Sequence, residues 1–144
     1  MAKLYDYWRS SASYRVRIAL GIAELSYDTE VVNLLEGDHR AEPHLERNPQ
    51  GLVPALDIDG YTMTQSLAII QYLDETLKLG LLPNLPMDRA QVRALSYAIA
   101  MEIHPVCNLH VAAFAVSESD GKIDKQQWMH HFIDKGLRAY EAMI

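Results

Sequence analysis

The sequence predicts an α/β domain followed by an all-helical domain, and three observations support this. Short strand-like segments alternate with helical patterns in the first part of the chain. The stretch Gly80–Pro86, which contains two prolines, is typical of a linker. Beyond it only helical periodicity recurs. We therefore expect domains at residues 1–82 and 87–144, and we expect the second to be incomplete because the chain stops within a helical pattern that has no cap.

The first three elements form a βαβ unit. Lys3–Tyr7 alternates and is rich in aromatic residues, which predicts a strand. The serines in Ser10–Ser13 are N-cap candidates for a helix that should end near Ala23, and Tyr27–Leu35 predicts a second strand. A right-handed crossover makes these two strands parallel.

A hairpin and a helix complete the first domain. The polar stretch Glu36–Asn48 has room for a short helix. Val53–Ile58 and Tyr61–Thr64 predict two strands joined at Asp59-Gly60, a strong two-residue hairpin signal. Ser66 is the expected N-cap of the following helix. The order βαβ and then ββα is a thioredoxin-like arrangement.

Capping patterns and a proline organise the helical domain. Asp88 with Gln91, and Asp124 with Gln127, have the spacing of capping boxes. Pro105 lies inside the first helical pattern, where we expect it to kink a long helix.

Composition narrows the classes of function. The chain of 144 residues is 49% hydrophobic, has no apolar run of membrane-spanning length and starts without a signal-peptide pattern, so we expect a cytoplasmic protein that does not enter a membrane. Its net charge of -6 argues against a nucleic-acid partner and favours a small-molecule substrate.

The single cysteine, Cys107, excludes an internal disulfide; we interpret it as a buried small hydrophobe rather than a redox group. The six histidines lack a metal-binding spacing such as HExxH, so we expect no metal site.

Three short polar motifs each allow a structural and a functional interpretation. The serines of Ser10–Ser13 can cap a helix, or help its N-terminus hold an anion such as a thiolate. Pro54 can simply start a strand, or form a cis bond that exposes the backbone of Val53 to a peptide. Gln65 and Ser66 can be a solvated glutamine and an N-cap, or a site for an α-amino-acid carboxylate.

Together these motifs resemble those of a known family. Arg9–Leu20, with the sequence RSSASYRVRIAL, closely resembles the serine-rich signature of zeta-class glutathione transferases. Val53-Pro54 and the run Gln65–Ile70 lie where that family has its glutathione site, and Ile103–Leu109 resembles a segment of its first long helix. The resemblance spans essentially the whole chain.

The resemblance implies glutathione as cofactor and assigns a role to each site residue. Ser10 would bind the sulfur with Ser11 close by, and both are candidate catalytic residues. Arg9 is a third candidate because it precedes the serine motif and could reach a substrate carboxylate. The remaining cofactor contacts would be the main chain of Val53 beside a cis Pro54, Gln65 and Ser66 at the γ-glutamyl end, and His39 at the glycyl carboxylate.

The implied reaction is cis–trans isomerisation of maleylacetoacetate or a similar small dicarboxylate such as maleylpyruvate, by a homodimer. Arg9, His104 and Asn108 are the substrate candidates, although Arg9 can also form a surface salt bridge and His104 a structural hydrogen bond. Conjugation or dehalogenation of small electrophiles, and a non-catalytic binding role on the same fold, remain alternatives. Ala12 replaces a cysteine common in the motif, so glutathione must supply the only nucleophile there.

Overall fold

The computed structural model describes all residues from Met1 to Ile144 and contains two compact units, Met1–Leu81 and Leu82–Ile144. No helix in either unit has the length and apolar character needed to cross a membrane.

The first unit contains four strands, three α-helices and one short 3₁₀ helix. Its elements are β1 Ala2–Asp6, α1 Ser11–Ile22, β2 Tyr27–Val31, the 3₁₀ helix Asp38–Arg40, α2 Glu42–Arg47, β3 Ala55–Ile58, β4 Tyr61–Thr64 and α3 Ser66–Leu77. The sheet order is β2-β1-β3-β4, with β1 parallel to β2 and the other pairs antiparallel. This mixed sheet confirms the thioredoxin-like arrangement.

Apolar side chains from the sheet and from α1 and α3 form the main core of this unit. Its fully buried members include Leu4, Val16, Leu20, Leu56, Ile69 and Leu73. A second buried cluster surrounds Tyr7 and Val53 near one end of the sheet.

Two strands are shorter than the sequence predicts. β2 ends at Val31 because Asn33 starts a turn: its backbone N–H donates to Asp38 at 2.9 Å and its side chain accepts from Leu35 N at 3.1 Å. β3 starts at Ala55 because Pro54 has no N–H for the ladder. Asp59 and Gly60 both have positive φ, which confirms the two-residue hairpin.

Two predicted helix caps are wrong. Gln65 occupies the N-cap of α3, and Ser66 is the first residue of that helix. The next helix, α4 (Pro86–Tyr97), begins with its proline, so Asp88 lies within the first turn and caps nothing. Proline at the first helical position outweighs the capping pattern, because its fixed φ suits the helix and its missing N–H is not needed there.

The second unit continues from α4 through a π-helical segment, Ala98–Ile103, to α5 (Leu109–Glu118) and α6 (Lys125–Glu141). The predicted kink at Pro105 is wrong: the helix stops before this proline, which cannot donate into the preceding turn. The second cap is confirmed, since Asp124 accepts from Gln127 N at 2.8 Å. Within this unit Trp128 donates to Val106 O at 3.0 Å.

Candidate functional site

The sheet topology gathers four chain segments at one edge. β1 and β2 run parallel and end there, and the antiparallel pairing Tyr5↔Ala55 and Ala55↔Thr64 brings the start of β3 and the end of β4 to the same edge. The segments that carry Ser10, His39, Val53 and Gln65 follow or precede these strand ends. Four chain segments that carry candidate site residues of the first unit therefore meet at one end of the sheet.

Ser10 is the N-cap of α1, and its hydroxyl has capacity for a ligand. Its Oγ accepts a hydrogen bond from Ser13 N at 3.2 Å, and its own backbone N donates to Tyr7 O at 2.8 Å. A hydroxyl has one donor and two acceptor lone pairs, so the cap bond leaves the proton available. With no acidic residue in the first turn of α1, this position suits an anion.

The residues after Ser10 present little else that can react. Ser11 is exposed at the first position of α1, Ala12 is 9% exposed, and Ser13 is fully buried. Because Ala12 has no thiol, a sulfur nucleophile at this helix start has to come from a ligand.

An ion pair fixes the loop that leads to Ser10. Arg17 on α1 donates to both carboxylate oxygens of Asp6, at 2.8 and 2.6 Å, and to the carbonyl oxygen of Trp8 at 3.1 Å. Asp6 is only 7% exposed. Arg17 therefore ties the end of β1 and the following loop to the helix that Ser10 caps.

Arg9 presents an exposed cation beside Ser10. Its guanidinium lies 5.7 Å from the ring centroid of Trp8, which is itself 73% exposed. Arg9 takes part in none of the salt bridges of the chain. Arg9 therefore has no salt-bridge partner in this structure, and its five N–H donors remain suited to a carboxylate.

Val53 offers its backbone at the site. The Val53-Pro54 bond is cis, while the side chain of Val53 is buried in the second core cluster. Pairing of β3 starts at Ala55, and the backbone of Val53 forms no hydrogen bond with the rest of the chain. An extended peptide can therefore pair with Val53 as an added strand.

Gln65 and Ser66 lie at the start of α3. Gln65 has φ 67 and ψ 104, an uncommon conformation for a residue with a side chain, and such outliers cluster at functional sites. Its side-chain amide donates to Gln50 Oε1 at 2.7 Å. Ser66 is 7% exposed, and α3 has no acidic residue in its first turn. This helix start provides backbone donors for a carboxylate.

His39 and three polar residues that follow it in the sequence lie close to the turn that leads to Val53. His39 is half-buried in the 3₁₀ helix, and its carbonyl oxygen lies 3.1 Å from where a Cβ on Gly51 would stand. The sequence reasoning missed His44, Asn48 and Gln50, which form hydrogen bonds around this turn. A polar residue next to the turn cluster Pro49-Gln50-Gly51 was the available signal for Asn48.

The remaining candidates belong to the second unit. His104 follows the π-helical segment, and Asn108 precedes α5. The side chain of Cys107 is half-buried, and burial raises the pKa of its thiol. No group of three or more His, Cys, Asp or Glu residues is arranged to hold a metal ion.

Comparison with known families and sequences identifies clear relatives. Residues 1–75 match the family model described as "Glutathione S-transferase, N-terminal domain". The chain is 60% identical over 143 residues to maleylacetoacetate isomerase of Rhizobium meliloti (strain 1021), a match covering 98% of this chain and 67% of that protein. It is 42% identical to maleylacetoacetate isomerase of Mus musculus, covering 98% of this chain and 64% of the mouse protein. The chain thus spans about two thirds of the length of these relatives.

Solved structures show the same similarity. A holo structure of maleyl pyruvate isomerase, described as a bacterial zeta-class glutathione S-transferase, aligns with a TM-score of 0.91 at 36% identity and covers 97% of this chain and 67% of that one. Maleylacetoacetate isomerase from Anaeromyxobacter dehalogenans 2CP-1, with bound glutathione in its active site, aligns with a TM-score of 0.85 at 35% identity over 100% of this chain and 68% of that one.

Proposed function

The chain belongs to the zeta class of the glutathione S-transferase family, and on this premise we propose that it is the glutathione-binding part of a glutathione-dependent cis–trans isomerase. The proposed substrate is maleylacetoacetate or a similar small dicarboxylate such as maleylpyruvate, and glutathione is the cofactor. The geometry of Ser10 is the observation that carries this proposal, because a capped helix start with an available hydroxyl proton suits a thiolate.

We assign a group of the first unit to each part of glutathione. Ser10 would donate to the sulfur and lower the thiol pKa, with Ser11 close by. Val53 would pair through its backbone with the cysteinyl residue, beside the cis Pro54. Ser66 and the first amides of α3 would hold the γ-glutamyl carboxylate, Gln65 its amino group, and His39 the glycyl carboxylate.

In the proposed reaction the thiolate adds to the cis double bond of the substrate. A carbon–sulfur bond forms, and the π electrons move onto the conjugated carbonyl as an enolate. The former double bond is now single and rotates. Collapse of the enolate restores the double bond in the trans form and expels the thiolate, so glutathione is regenerated.

Negative charge develops on the substrate during addition, so a cation close to the reacting atoms lowers the barrier. Arg9 is our first candidate, because it directly precedes Ser10, is exposed, and has no acidic partner. We assign His104 and Asn108 to the substrate as well, on the family resemblance of their segment.

The deciding experiment measures isomerisation of maleylacetoacetate by the intact protein, with and without glutathione, beside a Ser10→Ala variant. We expect turnover that depends strictly on glutathione and falls sharply in the variant. Glutathione binding without turnover would favour a conjugating or dehalogenating enzyme, and absence of glutathione binding would favour a non-catalytic role.

We also propose that the protein acts in the cytoplasm as a homodimer. Large apolar side chains remain exposed in both units, among them Tyr61 at 74% and Phe114 at 68%, and a partner subunit is one way to cover such surface. Sedimentation equilibrium of the intact protein tests this assembly, and a monomer at micromolar concentration would contradict it.

A further inference from the structure

The turn at residues 48–52 connects three of the candidate glutathione contacts, and we propose that Asn48, with His44 and Gln50, positions them for binding. None of these three residues needs to touch glutathione for this role. The inference rests on the proposed function and adds positioning residues to that site.

The first branch runs to Val53 through the carbonyl oxygen of Leu52. Asn48 Nδ2 donates to this oxygen at 2.8 Å, and His44 Nε2 lies 2.9 Å from it. A carbonyl only accepts, so His44 Nε2 must carry its proton. The side chains belong to buried residues, His44 being 3% and Asn48 2% exposed.

This pair of donors sets the direction of the Val53 N–H. The Leu52 carbonyl and the Val53 N–H belong to one planar peptide unit, which is trans. Two buried donors that hold the oxygen therefore also orient the N–H on the opposite side of the plane. That N–H is the group we assign to the cysteinyl backbone of glutathione.

The second branch runs to Gln65. Asn48 Oδ1 accepts from the backbone N of Gln50 at 3.1 Å, and the side-chain oxygen of Gln50 accepts from Gln65 Nε2 at 2.7 Å. This leaves Gln65 Oε1 to accept from the γ-glutamyl ammonium. Gln50 therefore orients the amide of Gln65.

The third branch is a close contact with the segment that carries His39. Gly51 N donates to Asn48 O at 2.8 Å, and Gly51 has φ +62. A Cβ at this position would lie 3.1 Å from His39 O, which is tighter than ordinary van der Waals contact. The turn and the 3₁₀ helix thus pack backbone against backbone.

None of the three branches includes Ser10 or α1. Loss of the network should therefore weaken glutathione binding and leave the pKa of the bound thiol unchanged. A general loss of structure would change both quantities, so the pair of measurements separates positioning from a merely structural role.

The test uses the intact protein and two ligands, glutathione and cysteinylglycine, which lacks the γ-glutamyl group. Gln50→Ala cuts only the branch to Gln65, and we expect it to raise the Kd of glutathione about threefold to tenfold, the effect of one hydrogen bond, and to leave the Kd of cysteinylglycine unchanged. Asn48→Ala and His44→Phe cut the branch to Val53 and should raise the Kd of both ligands. Thiolate absorbance at saturating glutathione gives the thiol pKa, which we expect to match the parent's in every variant.

Thr62→Ala is the matched control, since it removes an exposed side-chain hydrogen bond, to Asp57, away from this turn. It should leave both Kd values unchanged.

If the parent protein fails to bind glutathione, the proposed function fails with this inference. If the parent binds but Gln50→Ala binds both ligands like the parent, the branch to Gln65 is wrong while the function stands. Gln50 is exposed, so Gln50→Ala tests the branch to Gln65 even if Asn48→Ala does not fold, and His44→Phe then tests the branch to Val53: an unchanged Kd in that variant would overturn this branch.

Discussion

Ser10 combines two tasks that a pair of substitutions can separate. As an N-cap it accepts from Ser13 N, and as a candidate catalytic group it donates to the thiolate of glutathione. Replacing an N-cap serine with alanine costs about 1 kcal/mol of stability, whereas glycine costs only a few tenths. Both variants lose the hydroxyl. We therefore expect Ser10→Ala and Ser10→Gly to raise the pKa of bound glutathione equally, while chemical denaturation shows a clear stability loss only for alanine. Equal stability losses would mean that the cap bond, which both variants lose, sets the cost, and that the conformational preference of the replacing residue does not matter.

Arg9 should affect turnover more than glutathione binding. Arg9 directly precedes Ser10 in the sequence, is exposed, and is assigned to the substrate, not to the cofactor. Arg9→Ala should lower kcat/KM for the isomerisation about tenfold to a hundredfold, as expected for a lost charge-assisted hydrogen bond, and keep the Kd of glutathione near the parent value. Steady-state kinetics and calorimetry measure the two quantities. Turnover equal to the parent's would remove Arg9 from the mechanism.

The thiol of Cys107 should react slowly with alkylating reagents near neutral pH. Burial raises its pKa, so less thiolate exists at a given pH than for an exposed cysteine. We expect alkylation of the native protein by iodoacetamide at pH 8 to be slower than alkylation of free cysteine, and to accelerate as the pH rises toward the raised pKa. Denatured protein, in which the thiol is exposed, is the control. A native rate equal to the denatured one would contradict this protection.

At the scale of the element, Gly136 permits close packing of α6 against the π-helical segment. A Cβ at this glycine would stand 2.4 Å from Ile103 Cγ1, whereas a Cβ at Gly21 in α1 would meet nothing within 4 Å. Alanine in a helix is favoured over glycine by up to about 1 kcal/mol, but overpacking costs about 1–3 kcal/mol. We expect Gly136→Ala to destabilise the protein and Gly21→Ala to be neutral or slightly stabilising. Thermal unfolding measures both, and a stabilised Gly136→Ala variant would show that Ile103 moves aside easily.

The helix starts and turns show which structural features the local sequence is enough to predict. The Asp59-Gly60 hairpin and the cap at Asp124 follow from side chains that act on their own neighbourhood. The predicted cap at Ser66 failed because the chain enters α3 from β4 with a positive φ at Gln65, a conformation that sequence periodicity does not reveal. Pro105 was expected to kink a helix and instead lies beyond its end, and the local pattern shows that a proline disrupts a helix without showing whether it kinks or ends it.

At the scale of the whole molecule, the motifs predicted which residues of the first unit meet, but not what holds them. Ser10, Val53 and Gln65 could be assigned because each carries a local pattern and the strand order brings them to one edge. Asn48 was missed because its main partner, the carbonyl of Leu52, comes within reach only after the turn has folded. The turn cluster marks Asn48 as a turn residue, but its positioning role depends on tertiary contacts that the local sequence does not reveal.

The assignment of the glutathione contacts to the first unit predicts where this ligand protects the chain. All proposed glutathione contacts lie in Met1–Leu81, whereas His104 and Asn108, assigned to the substrate, lie in Leu82–Ile144. Glutathione at about 100 times its Kd should stabilise the folded protein by about 2.7 kcal/mol, since it binds the native state alone. In hydrogen exchange we expect glutathione to protect the segments around Ser10 and Val53. Absence of protection at both segments in the presence of saturating glutathione would contradict the assignment of Ser10 and Val53 to the cofactor.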